Sequence, residues 1–81
     1  MTFPLFTRVA LSVDLPEYNL KSGDVATIVD SHSVSGKRGF SLEVFNAKGE
    51  TITVIVADET QIETLREDEI FHIRHLDKIA A

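Results

Sequence analysis

A polar turn containing glycine runs straight into a β-branched segment, Leu20-Lys21-Ser22-Gly23-Asp24-Val25-Ala26-Thr27-Ile28-Val29-Asp30, the strongest local signal in the chain. Glycine and aspartate punctuate the turn, and the valines, threonine and isoleucine behind them suit a pleated strand. Val25, Thr27 and Val29 fall on one face and Ile28 on the other. Such a strand has to be paired and covered, which places it at the centre of a small sheet.

The flanking sequence supplies partners. Arg8-Val9-Ala10-Leu11-Ser12-Val13 alternates with Val9, Leu11 and Val13 on one face, the pattern of a half-buried strand. Between it and the central strand, residues 14–24 hold Pro16, Asn19 and Gly23 with Leu15, Tyr18 and Leu20 interleaved, a long ordered loop that tucks apolar side chains beneath itself. Ser31 to Gly39 is small and polar, with two glycines and the adjacent cations Lys37 and Arg38, and reads as a flexible loop.

Phe40 to Phe45 alternates again, with Phe40, Leu42 and Val44 inward and Phe45 outward. Asn46-Ala47-Lys48-Gly49 fits a type I turn with glycine at the left-handed position. The strand after it, Glu50 to Ala57, is read with Ile52, Val54 and Val56 inward and Ile55 outward, so that Phe45 and Ile55 would share an apolar patch. Asp58-Glu59-Thr60-Gln61 has the spacing of a capped 3-10 or helical turn, and Gln61 to Leu65 would make a short fifth strand. Ile70 to Arg74 reads as a strand from its β-branched and aromatic content, with a helix over Arg66–Leu76 as the competing reading.

These elements predict an all-β chain, a small SH3-like antiparallel barrel of five or six strands with a short 3-10 or helical turn near residues 58–61. Residues 1–81 form one domain, with an N-terminal arm over 1–7 and a C-terminal extension over 66–81. Eighty-one residues support a single core, burying about 60% of the surface the unfolded chain exposes. No cysteine is present, so the fold has no disulfide or thiolate staple and the cytoplasm is the expected compartment. The apolar opening Met1 to Phe6 is too short for a signal peptide, and no later run approaches a membrane span.

The net charge of −5 is unevenly placed: from Asp58 onward there are seven acids and three bases. Phosphate backbones are bound largely through Lys and Arg, so this balance opposes nucleic-acid binding unless Arg8, Lys37 and Arg38 act alone.

The run from Val9 through Asp14-Leu15-Pro16-Glu17-Tyr18 to Gly23-Asp24 and Val29, the later Glu43 to Thr51, and the closing Asp68-Glu69-Ile70-Phe71-His72-Ile73-Arg74 together resemble a family of small bacterial proteins, frequent in cyanobacteria, catalogued only as a domain of unknown function (DUF4926-like). The resemblance covers roughly residues 8–76. Ala26 stands where that family often has glycine. What the resemblance implies is an SH3-like barrel and a partnered, antitoxin-like or immunity-like role; it carries no activity and no site residues.

His72 and His75, three apart, would be neighbours only on a helix, with His32 as a conceivable third metal ligand; ordinary structural histidines are the alternative. Ser31, Ser33 and Ser35 flank His32 without an assignable base and orienting acid. No enzyme, cofactor, metal, small-molecule substrate or membrane attachment is expected. Two features point to a protein partner or self-association: the apolar residues Phe3, Leu5, Phe6, Phe45 and Ile55, and the acidic run Glu67, Asp68, Glu69. The expectation is a non-enzymatic interaction module, with a nucleic-acid-associated regulator using Arg8, Lys37 and Arg38 as the alternative.

Overall fold

A computed structural model describes residues 3–76; the outermost parts of the arm (1–2) and of the extension (77–81) lie outside the described residues. Five strands, β1 (Arg8–Leu11), β2 (Val25–Val34), β3 (Lys37–Phe45), β4 (Thr51–Asp58) and β5 (Ile62–Thr64), form one antiparallel sheet in the order β4-β3-β2-β1-β5. The chain is therefore all-β, with β4 and β5 as the two edges of the sheet. Two 3-10 turns complete it, one at Pro16–Tyr18 in the long loop and one at Glu59–Gln61 between β4 and β5.

The core is hydrocarbon throughout: Val9, Leu11, Leu15, Leu20, Ala26, Ile28, Phe40, Leu42, Val44, Ile55, Ala57 and Ile62 are buried together, and no polar or charged residue is buried among the described residues. Full burial of side chains the size of Phe40, Leu42 or Ile28 stabilises by about 1.5–3 kcal/mol each. The long loop behaves as its sequence predicts: Leu15 and Leu20 pair with each other and point into the core. Asp14 Oδ1 accepts from the Ser22 N–H at 2.8 Å, and Leu11 and Asp24 are joined by a 2.8 Å backbone bond, so the turn is stitched to the end of β1.

The segment 31–39 is not a flexible loop. Its polar residues extend β2 to Val34, and β3 starts at Lys37, leaving only Ser35 and Gly36 as the connection. Both have positive φ, 51° and 77°, which is the type I′ geometry whose twist matches a two-residue hairpin. Backbone pairing from Ser31↔Phe40 to Val34↔Lys37 gives the segment its order without help from apolar side chains.

Two register shifts decide which face each strand presents. In β2 a bulge at Val29 separates the pair Ile28↔Leu42 from Asp30↔Ser41. Directly paired residues point the same way, so Ile28 and Ala26 enter the core and Val25, Thr27 and Val29 are left half-buried.

The second shift inverts β4. Phe45 pairs with Thr51 but Val44 pairs with Thr53, so Ile52 is an extra residue, and Leu42↔Ile55 and Phe40↔Ala57 follow. Without the bulge the register at Phe45↔Thr51 would set Ile52, Val54 and Val56 against Val44, Leu42 and Phe40, as the alternation suggests. One inserted residue sends every later side chain to the opposite face. Ile55 is consequently buried at 2% exposure, while Val54 and Val56 stand out at 55% and 61%.

Between β5 and Leu76 the described chain has no strand or helix: Ile70 to Arg74 is neither the strand nor the helix considered from sequence. It has no neighbouring strand to pair with. Leu76 nevertheless packs against the core, and the Arg74 guanidinium grips the Asp24 carboxylate, fixing the tail beside the turn that precedes β2.

Candidate protein-interaction surface

The residues singled out from sequence divide into three groups. Phe3 is half-buried and belongs to the core, meeting Phe40 edge-on. The arm is carried there because β1 continues beside β2: Phe6 N–H donates to Ile28 O at 2.6 Å and Ile28 N–H donates to Thr7 O at 2.9 Å. Ile55 is also a core residue, so the expected Phe45–Ile55 patch does not exist; the bulge at Ile52 removes it. Phe6 is exposed, and Phe45, at the end of β3, is partly so.

Glu67, Asp68 and Glu69 are exposed at a turn that uses two of them internally. Asp68 receives both Nε and a terminal nitrogen of Arg66 at 3.2 Å, and Glu69 Oε1 accepts the Arg66 N–H at 2.5 Å. At such exposure the pair contributes little to stability. The three cations of the alternative reading are not gathered: Arg8 borders the broad cleft beside the tail, while Lys37 and Arg38 border a shallow hollow at the β2–β3 turn. There Asp58 lies close enough to Lys37 to feel its charge.

Asp58 has a structural task. Its carboxylate accepts the Thr60 N–H and hydroxyl, Gln61 returns a bond to the Asp58 N–H at 2.9 Å, and the carboxyl is held below its ordinary value chiefly by the Thr60 hydroxyl. His32 Nε2 lies 2.9 Å from Ser41 Oγ on the outer face of the sheet. Among the described residues no cluster of three or more His, Asp or Glu is placed to hold a metal. No helix among them is long and apolar enough to cross a membrane.

What the sequence reading missed is the outer face itself. Ile52, Val54 and Val56 form an exposed row on an edge strand, with Phe45 beside them on β3. The tail adds Ile70, Phe71 and Ile73, exposed at 92%, 65% and 83%. Phe45 and Ile52 from the sheet and Ile70, Phe71 and Ile73 from the tail line one open cleft of ≈ 1250 Å³, whereas Val56 borders the hollow at the β2–β3 turn. Leu5, Phe6, Val13 and Tyr18 are exposed away from that cleft, and the β4 row is an apolar strip of its own. A sequence signal for this did exist: Ile52 to Ala57 is apolar at both parities apart from Thr53, so one parity had to remain outside.

Acids frame the row. Glu43 pairs with Val54, Asp30 sits beside Ser41 opposite Val56, and Asp58 ends the strand. The surface is apolar at its centre and negative at its rim. Its chemistry is that of a contact surface, with backbone donors and acceptors of the β4 edge next to hydrocarbon side chains.

No curated protein and no solved structure matches the chain. Residues 5–70 match the family described as "Domain of unknown function (DUF4926)", a span that takes in all five strands and ends at the start of the exposed tail segment. The chain belongs to that family.

Proposed function

We propose that the chain is a non-enzymatic protein-interaction module on an SH3-like frame, docking a protein partner on the outer face of its sheet along β4. The observation that carries this reading is the row Ile52, Val54 and Val56, exposed at 41%, 55% and 61% on an edge strand. Edge strands accept added strands through their backbone groups, and alternate side-chain contacts supply selectivity. The strand order, the long loop after β1 and the 3-10 turn before β5 are features that SH3-like barrels share, which supports that frame for the sheet.

The test is a comparison of baits in extract of the cells that make the protein. Wild-type protein, Val54→Glu and Val56→Glu are immobilised after circular dichroism and melting show them equally folded. Wild type is expected to retain a defined partner that both variants lose. Identical retention by all three baits would defeat the reading.

A further inference from the structure

The segment after β5 is attached to the fold differently from everything before it. Among the described residues no ladder pair lies beyond Thr64, and the backbone bond from Glu69 N–H to Arg66 O at 3.1 Å is internal to the turn that begins the segment. Ile70, Phe71 and Ile73 are exposed, so hydrocarbon burial contributes little over residues 70–73. The segment is fastened at its far end. Arg74 Nε donates to Asp24 Oδ1 at 2.8 Å, a terminal nitrogen of Arg74 donates to Asp24 Oδ2 and lies 3.5 Å from Asn19 O, and Leu76 packs against the core.

The receiving half of this fastening is built without the tail. Lys21 N–H donates to Asp24 Oδ2 at 2.8 Å, and Asp24 N–H donates to Lys21 O at 3.0 Å. The turn before β2 thus holds the Asp24 carboxylate in place, ready to accept the guanidinium.

We propose that residues 70–76 form a strap that opens and closes on its own, latched by Arg74 on Asp24, and that it gates the cleft between the turn before β2 and the β3–β4 turn. Leu20, Ala26 and Val44 of the core and Asn46 of the β3–β4 turn border that cleft together with the strap. Opening withdraws Leu76 and uncovers Leu20, Ala26 and Val44, which line the cleft with it. The strands keep their pairing, since none of it passes through the strap. The opening is local because the contacts given up among the described residues are local: a part-exposed ion pair and a partly buried leucine, set against the whole hydrocarbon core. The strap does not depend on what β4 binds.

Proteolysis and NMR on the full chain test this. Arg74 enters the trypsin site only when its guanidinium leaves Asp24, so the rate of cutting after Arg74 reads the open population. Asp24→Asn keeps an oxygen for the Lys21 N–H and removes the charge. Exposure weakens a charge-assisted pair of this kind, so the variant is expected to be cut after Arg74 about tenfold faster than wild type. Cutting after Lys37 and Arg38, at the distant β2–β3 turn, is expected to be unchanged. Arg74→Gln, which alters the tail alone, is expected to move the Leu76 methyl resonances toward those of an unstructured chain while Ile28, Leu42 and Ile55 stay in place. Leu76 methyls that keep their wild-type positions in Arg74→Gln overturn the inference, as does cutting after Arg74 that is no faster in Asp24→Asn. So does a Leu76 shift that comes only with loss of the core resonances, since the strap would then have no opening of its own.

Discussion

The Phe3 ring meets the Phe40 ring edge-on, with centroids 5.5 Å apart and planes at 77°. Phe40 has no exposed surface, so the arm is part of the wall of the core and not a free appendage. Phe3→Ala should lower stability by about 1–3 kcal/mol, less than a fully buried phenylalanine because Phe3 is half-exposed. In a domain of this size each kcal/mol moves Tm by roughly 4–8 °C. A melt unchanged in the variant would show that the arm does not pack.

The inverted β4 makes opposite predictions for neighbouring residues. Ile55→Ala should cost about 2–4 kcal/mol through cavity formation, while Val54→Ala and Val56→Ala should each change stability by less than about 1 kcal/mol. Urea unfolding of the three variants checks it. Equal losses at positions 54 and 55 would contradict the bulge at Ile52.

At the β2–β3 turn both residues are left-handed, yet the first is serine. Asparagine tolerates that conformation better, so Ser35→Asn should stabilise by a few tenths to about 1 kcal/mol. A Cβ at Gly36 would meet no atom within 4 Å, so the cost of Gly36→Ala is conformational alone, about 1 kcal/mol. Thermal melts of the two variants should therefore move in opposite directions.

Burial pushes the Asp24 carboxyl up, but hydrogen bonds from Arg74 and from the Lys21 N–H outweigh it, and the group sits below its ordinary value of 3.8. A carboxylate whose folded value is depressed adds stability that is complete above the unfolded value and vanishes as pH falls through the folded one. Arg74→Gln should therefore be less stable than wild type at neutral pH, with the difference closing as pH falls through and below the ordinary carboxylate range. Its Asp24 carboxyl, followed by NMR, should titrate higher than in wild type. A pH-independent deficit would show that Arg74 acts by packing alone.

Elements carried by a single unambiguous pattern were legible from sequence. Phe40, Leu42 and Val44 alternate against polar neighbours, and all three are inward. Asn46 is followed by glycine at the left-handed position, and its Oδ1 accepts the Lys48 and Glu50 N–H groups at 2.9 Å. The box formed by Asp58 and Gln61 caps the turn that its spacing announces. Where both parities are apolar, as over Ile52 to Ala57, periodicity cannot choose a face, and a single bulge makes the choice. Ser31 to Val34 was missed for the converse reason: its order comes from backbone pairing and a two-residue turn, neither of which has a hydropathy signature. The proposed interaction surface inherits both problems, since Ile52, Val54 and Val56 read from sequence as inward and Ile70 to Arg74 as a strand.

The bulge at Ile52 is also what sets the phase of β4. Drawing Ile52 into the ladder would exchange Thr53, Ile55 and Ala57 for Ile52, Val54 and Val56, one largely hydrocarbon set for another. With no buried polar group among the described residues, the phase is held by shape, by the Asn46–Gly49 turn, by the Thr51 hydroxyl donating to Glu43 at 2.6 Å and by the cap at Asp58. Anything that grips Val54 and Val56 from outside binds only one of the two phases, and so would act as a clamp on the strand as well as a partner to it.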